Sequence, residues 1–146
     1  MDYNTALELC KRNSYSVWPT EITHKKCKPN PPAQTHTHEF TASTELELQG
    51  DLRHKHRFAG VTGEAIPVGQ NHFHRIKVNT TFDVGHFHEV ILKTGLGITV
   101  NPEAPPDEQM HIHFVEGETT VNGVVLHDHD VRFVTLAAPN PPSMQN

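Results

Sequence analysis

The sequence predicts an all-β fold, built of tandem antiparallel β-hairpin repeats that form a small sandwich, barrel or solenoid. Three observations carry this. A His-x-His pair recurs six times through the chain. An apolar residue stands two positions after the second histidine of every pair. The spacers hold glycine turns and runs rich in β-branched residues, which favour strands.

The pairs are His36/His38, His54/His56, His72/His74, His86/His88, His111/His113 and His127/His129. They take twelve of the 13 histidines and leave only His24 outside. Random placement would give about one such pair by template counting. The shared apolar positions are Phe40, Phe58, Ile76, Val90, Val115 and Val131. Alternate residues of a strand share a face, so both histidines and the apolar residue point the same way. The intervening Glu39, Arg57, Arg75, Glu89, Phe114 and Asp130 mark a largely charged, solvated face. The histidines are therefore expected to point inward or to a subunit interface.

The pairs start 18, 18, 14, 25 and 16 residues apart. Such units suit one strand–turn–strand hairpin each. The longest spacer carries the loop segment NPEAPPDEQ at 101–109. Asn122-Gly123 between apolar runs is a hairpin turn signal. About ten to twelve short strands, mostly antiparallel, are expected.

Residues 1–35 read as a separate arm, 36–136 as the repeat domain and 137–146 as a tail. Residues 4–11 suit a short helix. The prolines that follow, and those of APNPPSMQN, forbid long regular elements. Such arms suggest docking on neighbouring subunits. Trp18 reads as a docking anchor, and His24 as an ordinary loop histidine. Cys10 and Cys27 are either two ordinary thiols or a bridge, within the chain or between subunits.

The net charge of −5 disfavours nucleic acid as a partner, because phosphate binding needs a basic face. No apolar run reaches the length of a membrane span. The opening residues lack the pattern of a cleaved secretory signal, which implies cytoplasmic synthesis.

Buried imidazoles need partners for both ring nitrogens. A divalent transition metal supplies one, and a carbonyl or carboxylate the other. The twelve paired histidines are thus the ligand candidates. Zinc is the foremost expectation, with copper, nickel, cobalt or iron as alternatives. Two pairs meeting on adjacent strands would make tetrahedral four-histidine sites, which suit zinc. Three identical pairs on a trimer axis would make six-histidine cages, which suit iron, cobalt or nickel better.

Catalysis is not expected. His111, His113 and Glu118 have roughly the spacing of a first cupin motif, but the second is absent. No serine or cysteine nucleophile has a convincing setting, and six near-equivalent pairs read as repetition for structure or capacity.

The segments HTHEF, HKHRFAGVTGEAIPVGQNHFHRI, GHFHEVILKTG and MHIHFVEGETTVNG resemble the YmaF family, histidine-rich proteins of spore-forming bacteria. The resemblance covers roughly residues 36–134, with HRFAGVTGEAIPVG its most specific part. It implies an association with spores and no established activity. A second similarity is architectural, to phage tail-fibre tips in which His-x-His from three chains encircles iron.

The expectation is a non-enzymatic, metal-stapled, self-assembling structural protein, deposited in a spore layer or surface fibre. Its partners would be metal ions and other copies of itself. The alternatives are a metal store or buffer, a trimeric needle with six-histidine sites, and last a cupin-like metalloenzyme.

Overall fold

The computed structural model describes residues 36–145. The expectations for residues 4–11, Cys10, Trp18, His24 and Cys27 fall outside the described residues.

Eleven strands follow one another: β1 (Glu39–Ser43), β2 (Arg57–Val61), β3 (Ile66–Val68), β4 (Asn71–Phe73), β5 (Arg75–Asn79), β6 (Glu89–Lys93), β7 (Ile98–Thr99), β8 (Met110–Ile112), β9 (Phe114–Glu118), β10 (Asp130–Val134) and β11 (Ala138–Pro139). Every ladder is antiparallel. Among the described residues there is no α-helix, so none is long and apolar enough to cross a membrane.

Three hairpins form the body: β1–β2, β5–β6 and β9–β10. Each of their six strands begins immediately after the second histidine of a pair. One histidine unit therefore makes one strand, and two units make one hairpin. This corrects the expectation of a hairpin per unit. The strand period holds as expected: each strand opens with a residue turned outward and then buries the apolar one.

The hairpins meet edge to edge around a three-sided prism. Two backbone hydrogen bonds cross each seam. Gly63 and Thr81 N–H donate to the carbonyls of Arg75 and Arg57. Gly95 and Thr120 donate to those of Phe114 and Glu89. Leu136 and Glu45 donate to those of Glu39 and Asp130. The ladders stop at these seams, so the architecture is a set of small antiparallel hairpin sheets, none closed into a barrel. A barrel needs a continuous ladder around its wall; here the wall is three separate two-stranded ribbons.

Phe40, Phe58, Ile76, Val90, Val115, Val131 and Phe133 fill the space between the ribbons. Six of these are the apolar positions of the repeat. Their volumes are matched by small residues opposite. Phe40 pairs with Gly60, where an added Cβ would stand 3.0 Å from the ring tip. Gly117 makes room for Leu92, which a Cβ there would meet at 2.6 Å. The outer face carries exposed Glu39, Arg57, Arg75, Phe114 and Asp130, with Glu89 half-buried.

Antiparallel hairpins send successive histidine pairs to opposite ends of the prism. The three first-strand pairs, at His36, His72 and His111, gather at one end, here the odd end. The three second-strand pairs, at His54, His86 and His127, gather at the other, the even end. Among the described residues, only the three hairpin turns lead into the even end. The excursions between hairpins, β3–β4 and β7–β8, lie at the odd end. The described part of the segment read as a tail, residues 137–145, pairs there through β11 with β8. It folds back onto its own domain, with Asn140 buried.

Phe133 packs its ring 5.5 Å from Phe40 and 5.3 Å from Phe58, centroid to centroid. Its replacement by alanine leaves a cavity in a small core. Phe133→Ala is expected to cost about 3–5 kcal/mol of stability, read by chemical denaturation.

Candidate metal centres

Each second histidine is locked by the same three contacts. The pattern starts with a threonine six residues further on, at the far end of the strand: Thr44, Thr62, Thr80, Thr94, Thr119 and Thr135, all buried. Within each hairpin, the second histidine of one strand faces the threonine of the other. The histidine N–H donates to the threonine Oγ1 at 3.0 Å in all six cases. The threonine N–H donates back to the histidine carbonyl at 2.8–3.0 Å.

The third contact crosses the seam. The Nδ1–H of His38, His56, His74, His88, His113 and His129 donates to the carbonyls of Leu136, Thr81, Gly63, Thr120, Gly95 and Glu45, at 2.6–2.9 Å. Each acceptor is the residue directly after one of the six threonines. A carbonyl only accepts, so Nδ1 carries the hydrogen and Nε2 presents a lone pair. Nε2 of His56, His74, His88 and His129 is buried and has no hydrogen-bond partner.

The first histidines complete the picture at the even end. His54, His86 and His127 donate Nδ1–H to the carbonyls of Leu52, Val84 and Val125, each two residues earlier, at 2.7, 3.0 and 2.6 Å. The turn before His86 places both Val84 and Gly85 at positive φ, a costly conformation for a β-branched residue. The three Nε2 atoms stand 3.2, 3.2 and 3.3 Å apart. All three are acceptors, so these are not hydrogen bonds. Three lone pairs aimed at one point need a cation there.

The odd end repeats the triangle of Nε2 atoms, except that Nδ1 of His111 is buried with no hydrogen-bond partner among the described residues. Nε2 of His36, His72 and His111 form a triangle with sides of 3.0, 3.1 and 3.1 Å. Nε2 of His38 stands 3.1 Å from that of His111, and Nε2 of His113 stands 3.2 Å from that of His72. In both clusters the six donor atoms lie within 4.8 Å of one another.

These distances describe an octahedron. Neighbouring rings meet edge-on, with centroids 4.6–5.2 Å apart at the odd end and 4.9–5.0 Å at the even end. The rings standing across from each other are His54 and His88, His86 and His129, and His127 and His56. At the odd end they are His36 and His113, His72 and His38, and His111 and His74. First histidines make one triangular face and second histidines the other. Edges of 3.0–3.3 Å put the centre about 2.1–2.3 Å from each nitrogen, the edge divided by √2, close to a metal–imidazole bond.

A family model described as spore germination protein GerY/YamF, the YmaF family, matches residues 33–137. The chain belongs to the YmaF family. No curated protein and no solved structure matches the chain. The segment of the YmaF match contains both cages and the whole prism.

The structure brings all twelve paired histidines into the two cages, six in each, and corrects how they meet. Neighbouring pairs do not join into four-histidine sites. Nor are three chains needed, since three different pairs of one chain close each octahedron. The cupin-like grouping is not assembled: Glu118 lies exposed at the far end of β9 from His113. The residues that sequence reading missed are the six threonines. Their signal was present, since the full repeat is His-x-His-x-apolar-x-x-x-Thr in every copy.

Burial sets the protonation of the cages. It lowers His72 and His111 to about 3, helped by the surrounding imidazoles. It lowers His36, His113 and His129 to about 4, opposed at the last two by the carbonyls that accept their Nδ1–H. His38, His56, His74 and His88 are also lowered, by burial first. The unfolded chain takes up protons below the ordinary value of 6.5, while folded His36, His72, His111, His113 and His129 resist until about 3–4. Protons thus favour the unfolded state throughout that window. The metal-free protein is expected to keep constant stability above about pH 7 and lose it steadily from about 6.5 towards 4, by denaturant titration at each pH.

Proposed function

We propose that the chain is a non-enzymatic, metal-stapled structural protein, with one divalent transition ion in each cage. The observation that carries this is the convergence of Nε2 atoms in each cage, with nine of the twelve rings donating their Nδ1 hydrogen to a carbonyl. The carbonyl orients the ring and raises its basicity, as the outer partners of metal-bound histidines do. Six imidazoles around a point favour iron, cobalt or nickel; the zinc expectation rested on four-coordinate sites. Six nitrogen donors leave no open position for substrate or water, which supports a structural role over a catalytic one. Each ion would clamp three hairpins whose ladders do not continue across the seams, so its binding energy is folding energy.

Native protein purified without chelators or nickel resin is expected to carry two ions per chain. X-ray absorption should show six nitrogen scatterers at about 2.1–2.2 Å, and chelation should lower the melting temperature by 10 °C or more, about 2–3 kcal/mol for a domain of this size. One ion per chain, four nitrogen neighbours, or melting unchanged by chelation would sink the staple reading.

Self-assembly in a spore layer forms part of the same reading. The family description associates its members with spore germination. The even-end turns expose Leu52, Phe82, Val84, Val124 and Leu126, a surface suited to contact between copies. The metal-replete protein is expected to sediment as an oligomer, and Leu126→Asp with Val124→Asp to reduce it to a monomer.

A further inference from the structure

We infer that the two cages are unequal in exchange: the even cage is the labile one, and the odd cage holds its ion for as long as the fold lasts. The inference rests on the metal-staple reading and adds a division of labour to it.

An ion leaves a six-histidine site by losing donors one at a time. The rate therefore depends on how easily single rings swing away, and whether a chelator can reach the gap. The second histidines are alike at both ends, each held by its threonine and by a carbonyl across the seam. The difference lies in the first histidines.

At the even end, His54, His86 and His127 sit on three separate hairpin turns. Each is tied by a single β-bridge within its own turn, to Glu47, Asp83 and Asn122. Each ring is held only by the carbonyl two residues before it. His54 and His127 are partly exposed and His86 is 8% exposed. The turn residues around them, Leu52, Val84, Val124 and Leu126 among them, are open to solvent.

At the odd end two of the three corresponding positions, His72 and His111, are built into sheets, while His36 stands just before β1 and is half-buried. His111 lies on β8, flanked by β7 through Thr99 and by β11 through Ala138. His72 lies on β4, opposite Pro67 of β3, and its carbonyl accepts from Gly97. Asn71 fastens the two excursions together: its Oδ1 accepts from His72 and Gly97 N–H, and its Nδ2 donates to the Gly97 carbonyl. Gly97 is packed so closely that a Cβ there would lie 3.0–3.1 Å from Met144, Asn71 and the His111 ring. His111 is fully buried and His72 is 3% exposed. Releasing either ring means breaking paired strands, whereas releasing His127 means opening one turn.

The test uses full-length protein loaded with Co2+ under anaerobic conditions to two ions per chain, verified by native mass spectrometry. Excess EDTA is added and bound Co2+ is followed with time. One ion should leave about tenfold faster than the other or more. His127→Ala should abolish the fast phase and keep the slow one. In half-depleted wild-type protein, NMR should find the rings of His54, His86 and His127 freed of paramagnetic shifts and those of His72 and His111 still shifted. That assignment needs no variant to fold. Two ions leaving in a single phase, or an odd cage that empties first, would overturn the inference while leaving the staple reading intact. Fewer than two ions at loading would overturn both.

Discussion

The rest of the structure depends on one contact made six times: a histidine ring held between a threonine of its own hairpin and a carbonyl of the next. The threonine fixes the histidine backbone at the strand entrance. The carbonyl takes the Nδ1 hydrogen across the seam. One residue thereby closes the hairpin, joins it to its neighbour and aims a lone pair at the axis. Because the strand between histidine and threonine has one length throughout, all six lone pairs of these second histidines arrive at two points only. The backbone bonds that cross the seams come from the same residues that supply those carbonyls, so the lattice serves fold and site together.

That economy has a cost. Buried imidazole lone pairs facing one another repel, and each unpaired buried polar atom is destabilising. The apolar core between the cages is only about one residue per strand thick, with Phe133 as the main addition. Domains with so small a core commonly need staples. The cages sit where staples act best, at the two ends of three ribbons whose ladders do not continue into one another. Metal binding would turn the repulsion at each end into the strongest attraction in the molecule.

Much of this was legible in the sequence. The pairs, the apolar position and the strand period placed His56, Phe58 and Arg57 correctly, two inward and one outward. The partnership of the pairs was not legible. Reading each unit as a hairpin set neighbouring pairs side by side, and the four-histidine site followed from that. Thr44, Thr62 and their four counterparts would have shown that a unit is a single strand of fixed length, and antiparallel pairing would then have sent alternate pairs to opposite ends. Spacer length was no guide. The turn between the His36 and His54 pairs is as long as the crossover from the His54 pair to the His72 pair, although one closes a hairpin and the other joins two. The tail's prolines forbid a long strand, and β11 pairs with β8 through two residues alone.

Three-fold arrangements of His-x-His built from separate chains repeat every ligand three times, so one codon controls three vertices at once. Here the three-fold order lies within one polypeptide, and every vertex has its own codon. A change at His127 alters one corner of one octahedron and leaves the other eleven histidines as they were. The two ends can therefore drift apart in tightness, in metal preference or in exposure, one substitution at a time. A symmetric trimer has no such freedom: each of its sites is bound to remain a copy of a single strand's choices.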